Sequence, residues 1–234
     1  MERLDKTVAK AGALSRTEAR GFILRGLVSV DGQAVRDIGF KVDPQKQSIC
    51  LKGKLLSYKK YVYIVMNKPK GVISAGNDKA AKTVVDLLDD NLKKRKLFPV
   101  GRLDKNTTGL LIITDDGDFA HKLLSPSKKV PKEYIVTLDG DISENLVSEF
   151  AKGLTLADGT NLAPAELEIL NPKNRAKVKI VEGKYHQIKR MFGLFNLGVD
   201  ELQRVSFGGL KLPKDIEEGE FREADDFELE ILNK

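Results

Sequence analysis

Apolar and polar positions change period several times along the chain, and each change marks an element. Leu4, Val8 and Ala11 recur at helical spacing, and Gly12 follows where such a helix would end. Ser15-Arg16-Thr17-Glu18 then carries a reciprocal capping pattern. The serine hydroxyl accepts from the amide three residues on, and the glutamate reaches back. The pattern predicts a second helix to about Arg25, stopped by Gly26. Apolar residues 27–30 and 33–35 flank Asp31-Gly32, a two-residue hairpin signal.

Residues 52–60 read as a linker. Residues 61–66 read as a strand, stopped by Asn67-Lys68-Pro69-Lys70-Gly71, because proline cannot donate to a ladder. Residues 83–88 read as a short helix. Leu110-Leu111-Ile112-Ile113 is a continuous apolar run, the pattern of a buried strand. Asp115-Asp116-Gly117-Asp118 ends that strand and opens a helix, where acidic residues oppose the helix dipole; that reading is preferred to a magnesium site. Residues 132–138 form a further strand, and Ser143 is expected to cap a helix through Lys152, closed by Gly153. Residues 177–182 alternate with period two, as a half-buried strand does. From His186 a helix runs with Ile188, Met191, Phe192 and Phe195 as its buried stripe, leaving Lys189 and Arg190 on other faces. Strand-like residues 202–207 precede Gly208-Gly209. Without a regular βαβ rhythm, the order predicts an α+β fold: a small helix–helix–hairpin domain with its linker over 1–60, then residues 61–234 built on a mixed, mostly antiparallel sheet.

Charge changes this picture. Residues 1–60 hold 13 Lys/Arg against 6 Asp/Glu, whereas the rest holds 27 against 28. The net charge of +6 therefore lies in the first quarter, as expected of a polyanion grip joined to a near-neutral body. Lys6 and Lys10 are one helical turn apart, as are Arg16 and Arg20, with Arg3 and Arg25 at the helix ends. Such a stripe suits phosphates, which position RNA but specify little sequence. The single cysteine, Cys50, lies in an apolar run and reads as a small buried side chain in a reducing, cytoplasmic compartment. His121 and His186 stand far apart without cysteine neighbours, so no metal is expected. No apolar run is long enough to span a bilayer, and the charged N-terminus is not a signal peptide.

Gly101-Arg102-Leu103-Asp104-Lys105-Asn106-Thr107-Thr108-Gly109 is the candidate site. Taken alone, it reads equally as a polar turn or as a loop presenting the carboxylate of Asp104. The basic run at 93–96 leads into it, as an ordinary solvated run or as a phosphate contact. No Ser/His/Asp order, zinc set or Walker loop competes with it.

Arg3-Leu4-Asp5-Lys6, Ser15-Arg16-Thr17-Glu18-Ala19 and Gly26-Leu27-Val28-Ser29-Val30-Asp31-Gly32 resemble the S4-type RNA-binding domain. Gly101-Arg102-Leu103-Asp104 with Thr107-Thr108-Gly109-Leu110-Leu111 resembles the signature of RNA pseudouridine synthases. Asn67-Lys68-Pro69-Lys70-Gly71, Lys132-Glu133-Tyr134 and Glu182-Gly183-Lys184-Tyr185-His186-Gln187-Ile188-Lys189-Arg190-Met191-Phe192 match further blocks of that family, in order. The resemblance is closest to the ribosomal RNA branch, and within it to the enzymes of the small subunit (16S).

The resemblance implies that Asp104 is the catalytic carboxylate, that Tyr134 stacks on the target uracil and assists proton removal from C5, and that Lys189 pairs with Asp104. It implies that Arg102 holds the RNA open, with Leu103, Lys184, His186, Gln187 and Arg190 also at the RNA. The reaction breaks the N1–C1′ bond, turns the uracil and rejoins it through C5. Substrate and product are isomers, so no cofactor is expected. The carboxylate can serve as nucleophile or as base toward the ribose. The implied partner is ribosomal RNA, free or in an assembling small subunit, bound by a monomer that touches no membrane. A large-subunit (23S) target is the alternative within the family, and a non-catalytic RNA-binding assembly factor the alternative outside it. A methyltransferase would need a glycine-rich strand–loop–helix, which the chain lacks.

Overall fold

A computed structural model describes residues 1–233, in two compact units: Met1–Val62 with Leu88–Leu97, and Tyr63–Leu87 with Phe98 onward. In the first unit β1 (Glu2–Arg3) leads into helices α1 (Leu4–Ala11) and α2 (Arg16–Leu24). Leu4, Val8, Ala19 and Ile23 are fully buried where the helices meet. The capping box forms: Ser15 Oγ accepts from the Glu18 amide at 3.2 Å, and Glu18 Oε2 accepts from the Ser15 amide at 2.8 Å. Strands β2 (Val28–Val30) and β3 (Gln33–Ala34) are joined by Asp31 and Gly32, both at positive φ, as the tight hairpin turn requires. The short β4 (Lys41–Val42) pairs with β1.

Two expectations fail in detail, and a third gains one. Cys50 lies in β5 (Ile49–Leu51) but is half-buried, because this sheet has one open face. Residues 52–60 are not all linker, since Lys54–Leu55 forms β6 by turning back on β5 through Lys52 and Gly53 at positive φ. The basic run at 93–96 begins at the last residue of α3 (Asp90–Lys93); its three lysines are exposed, while Arg95 donates to the carbonyls of Lys59 and Lys60.

The second unit holds a nine-stranded sheet. Its strands are β7 (Tyr63–Lys68), β8 (Phe98–Pro99), β9 (Thr108–Thr114), β10 (Lys132–Leu138), β11 (Glu166–Ile169), β12 (Arg175–Ile180), β13 (Val199–Phe207), β14 (Leu210–Lys211) and β15 (Phe221–Glu223). The order is β11-β12-β10-β13-β9-β7-β15, with β14 on β13 and β8 on β9. All its pairings are antiparallel except β13 with β9, so the α+β, mostly antiparallel expectation holds. The parallel pair is a seam between two antiparallel halves. At the seam Gly109 (φ +99°) faces Arg204, and a β-carbon there would strike the Arg204 backbone.

Helix α4 (Gly117–Leu124) is capped by Asp116, whose Oδ1 accepts from the amides of Asp118 and Phe119. Helix α5 (Asn145–Lys152) packs Phe150 against Phe192 of α6 (Gln187–Gly193), and α7 (Asp226–Asn233) closes the core through Leu232. Leu110, Leu111, Ile112 and Ile113 have no exposure, so each contributes about 1.5–3 kcal/mol of apolar burial. Residues 83–88 contain only a 3₁₀ turn, Val85–Leu87, which Asp86 tightens by accepting from the Thr83 amide. Ser143 makes no side-chain cap; α5 begins one residue later than a serine cap would place it, after Glu144. Among the described residues no helix is long and apolar enough to cross a membrane.

Candidate active site

Asp104 sits in the loop that feeds β9, and neighbouring backbone fixes that loop from below. The Asp104 carbonyl accepts from the Thr107 amide at 3.0 Å, closing a tight turn. The Lys105 carbonyl accepts from the Gly71 amide at 2.9 Å. Ser74 Oγ donates to the Leu103 carbonyl at 2.8 Å and accepts from the Leu103 amide at 3.0 Å. Beneath the loop lies Lys68, wholly buried, with Nζ donating to the carbonyls of Pro69, Asp104, Lys105 and Thr107 at 2.9–3.3 Å. Burial pushes its ammonium down to about 8, while the negative charge of Asp104 pulls the other way. Neither Lys68 nor Ser74 stood out as a site residue in the sequence. The signals for Lys68 were a cation ending an apolar strand just before a proline and its place in the Asn67–Gly71 block that resembles the family.

Three elements converge above the loop. Asp104, Tyr134 of β10 and Lys189 of α6 line one small cleft, together with Arg102, Leu103, Lys184, His186 and Gln187. The Asp104 carboxylate is one-third exposed, and His186 Nε2 lies 3.5 Å from its Oδ1. No ion pair joins Lys189 to Asp104 among the described residues; the cation at the carboxylate's edge is His186, when protonated. His186 enters α6 in a left-handed conformation (φ 49°) and stacks against Tyr185, ring centroids 3.9 Å apart. Tyr185 is itself 73% exposed, an aromatic face beside the cleft that sequence reasoning passed over.

The other expected RNA contacts differ in availability. Arg102 is exposed. Leu103 and Gln187 are buried; Gln187 accepts from the Lys184 amide and donates to Glu182, so both ends of its amide are engaged within the loop. Lys184 Nζ donates to the Asn161 carbonyl, and Arg190 pairs with Asp158 at 2.5 Å. Tyr134 lines the cleft and is buried, at 7% exposure.

In the first unit the arginines gather on one acid. Arg3, Arg16 and Arg20 each pair with the fully buried Asp5, at 3.1, 3.4 and 2.9 Å. Burial pushes this carboxyl up, but the hydrogen bonds from Arg3 and Arg20 and the charge of Arg16 outweigh that and hold it down at about 2. All three guanidinium groups remain close to half exposed. Lys6 bridges to Glu2 four residues back, Lys10 donates to the Lys60 carbonyl, and Arg25 lies over the Phe22 ring. The stripe is thus a three-arginine cluster with lysines to one side. Among the described residues no group of three or more His, Cys, Asp or Glu side chains is arranged to hold a metal.

Comparison with known proteins agrees with both units. Residues 62–193 match the RNA pseudouridylate synthase family, and residues 2–47 match the S4 domain. The chain is 40% identical to an uncharacterized RNA pseudouridine synthase of Bacillus subtilis, over 99% of this chain and 98% of that one. It is 37% identical to ribosomal small subunit pseudouridine synthase A of Escherichia coli, over 97% and 98%. A putative chloroplastic ribosomal large subunit pseudouridine synthase of Arabidopsis thaliana is 36% identical, over 99% of this chain and 60% of that one. A crystal structure of a pseudouridylate synthase superposes with a TM-score of 0.70 at 34% identity, covering 99% of this chain and all of that one. The chain belongs to the RNA pseudouridine synthases, enzymes that isomerise uridine to pseudouridine in RNA, and carries an S4 domain ahead of the catalytic fold.

Proposed function

We infer that this protein isomerises one uridine of small-subunit (16S) ribosomal RNA, acting as a monomer in the cytoplasm on free or assembling RNA. The observation that carries the catalytic assignment is the convergence of Asp104, Tyr134 and Lys189 on one cleft from three separate elements. The small-subunit target rests on the Escherichia coli relative, which this chain matches over 98% of its length. A large-subunit target is the second reading, favoured by the Arabidopsis relative.

The roles are those the family resemblance implies. Asp104 acts on the ribose as the N1–C1′ bond breaks. Tyr134 stacks on the freed uracil as it turns and C5 bonds to C1′, and assists as the C5 proton leaves while N1 gains one. Lys189 lines the cleft with the carboxylate, and His186 Nε2 lies 3.5 Å from its Oδ1. The target base must first leave its stack, at a cost of about a few kcal/mol; Arg102 at the rim and the Asp5-centred arginine cluster offset this through phosphate contacts.

The test is a pseudouridine map of ribosomal RNA with and without the gene product. One small-subunit position should lose its modification. Wild-type protein should restore it and Asp104→Asn should not, while Asp104→Asn binds the RNA with near wild-type affinity. Loss at a large-subunit position would establish the second reading, and restoration by the Asn variant would refute the role of Asp104.

A further inference from the structure

A second cavity, of about 310 Å³, lies beside the Asp104 cleft and shares Arg102, Tyr134, Gly183 and Lys184 with it. Its charged lining is one-sided: Arg102, Lys132, Lys184 and Arg204 against Glu182. Glu182 is committed elsewhere. Its Oε1 accepts from the Ala163 amide and Gln187 Nε2, and its Oε2 lies 3.7 Å from Lys184 Nζ. Arg102, Lys132 and Arg204 have no carboxylate partner among the described residues.

Sheet register places two of these cations beside Tyr134. Arg204 on β13 faces Tyr134 on β10, and Lys132 stands two residues before Tyr134 on the same face of the strand. Arg204 is 2% exposed; its Nε donates to the Leu110 carbonyl at 2.8 Å, and its buried Nη2 has no hydrogen-bond partner. Lys132 Nζ donates once, to the Val130 carbonyl at 2.8 Å, leaving two N–H groups uncommitted. Both cations also lie over the Phe207 ring, at 5.3 and 4.9 Å. Burial and the neighbouring Arg204 push the Lys132 ammonium down to about 8. A buried donor without an acceptor is costly, and two unneutralised cations in one cavity repel; an anion relieves both.

We propose that Lys132 and Arg204 form a phosphate-binding site, which takes a backbone phosphodiester of the substrate RNA next to the nucleotide held in the Asp104 cleft. The shared wall carries the choice of ligand. Tyr134 and Arg102 border both cavities, so RNA leaving the cleft on that side passes over the second one. This rests on the reading given under Proposed function, and it assigns two residues to binding rather than to chemistry.

Arg204 also holds Leu110, so its replacement risks unfolding; half-buried Lys132 is the residue to change. Lys132→Met keeps the stem and removes the charge. Against small-subunit ribosomal RNA transcripts, its affinity should fall about tenfold at low salt. The slope of log affinity against log salt should shrink by about 0.7–0.9, the signature of one phosphate contact. In the Asp104→Asn background, RNA fragments around the mapped uridine then carry a single neutral methylphosphonate at each linkage in turn. One linkage should weaken binding to the Lys132-containing protein yet leave Lys132→Met unaffected. An unchanged salt slope, or equal losses for both proteins at every linkage, would overturn the proposal. So would competition by inorganic phosphate that depends on Lys132 while no linkage does, since the site would then take a free anion. These readouts are of binding, so they are distinct from a failure of uridine isomerisation itself.

Discussion

Lys68 Nζ donates to the carbonyl oxygen of Thr107 at 2.9 Å, from a side chain with no exposure. The same nitrogen holds the carbonyls of Asp104 and Lys105, so one buried ammonium gathers the backbone of the loop that presents the carboxylate. Lys68→Met should leave these oxygens short of a donor and destabilise the fold by about 2–3 kcal/mol. The loop should also lose its set, lowering kcat about a hundredfold, as small misplacements of reacting groups do. Denaturant unfolding and single-turnover kinetics on the same variant check both parts. A stable variant with full turnover would show that the loop holds itself.

Asp5 makes a pH-dependent contribution. Its folded pKa, about 2, lies below the usual carboxylate value of 3.8. The unfolded chain therefore binds the proton more readily, and the stabilisation is complete above about pH 4 and lost as pH falls toward 2. Asp5→Asn should cost about 1–2 kcal/mol at pH 6, discounted because the arginines are solvated. The gap between variant and wild type should close by pH 2. Thermal unfolding across that range reads it, and a gap constant with pH would contradict the cluster.

Gly109→Ala should be severe despite its small size. The new β-carbon would lie 2.8 Å from the Arg204 amide nitrogen, still nearer the Arg204 carbonyl oxygen, and on a residue at φ +99°. Strain and overpacking together predict a loss of about 3 kcal/mol or more. A melting temperature within a degree of wild type would mean that β9 and β13 are not this close.

Arg16→Ala combined with Arg20→Ala tests the arginine cluster as an RNA grip. Removing residues 1–60 outright is the poorer experiment, because Arg95 and its neighbours at 88–97 pack with that unit and would be left uncovered. The double variant should weaken RNA binding at low salt and reduce the salt slope by about 0.7 for each phosphate that is no longer neutralised. An unchanged slope would place the main electrostatic grip elsewhere.

Local rules made much of this legible in the sequence. The Ser15–Glu18 box, the Asp31-Gly32 turn, the strand over 132–138 and the apolar run after Gly109 depend on near neighbours, and all four formed. Helix α6 and most of its stripe were equally readable, because Ile188, Met191 and Phe192 repeat on one face; Phe195, expected to complete the stripe, lies past the helix end and is only half-buried. What escaped depends on distant partners. Lys68 meets carbonyls 36 to 39 residues on, and Arg204 meets Leu110 across 94. The strand Lys54–Leu55 was hidden because its two exposed residues carry no apolar pattern. Asp104, Tyr134 and Lys189 were implied by resemblance; that they share a cleft, with His186 Nε2 3.5 Å from the carboxylate, is visible only in three dimensions.

The seam between β9 and β13 bears on how the enzyme can be divided. The stretch that matches the catalytic family ends at residue 193, after Asp104, Tyr134 and Lys189 have all been passed. The strand that pairs with β9 at Gly109 begins only at Val199. A fragment trimmed to the matching stretch would hold every proposed catalytic side chain and lack the central strand of its own sheet. The shortest recognisable synthase and the shortest foldable one therefore end at different residues.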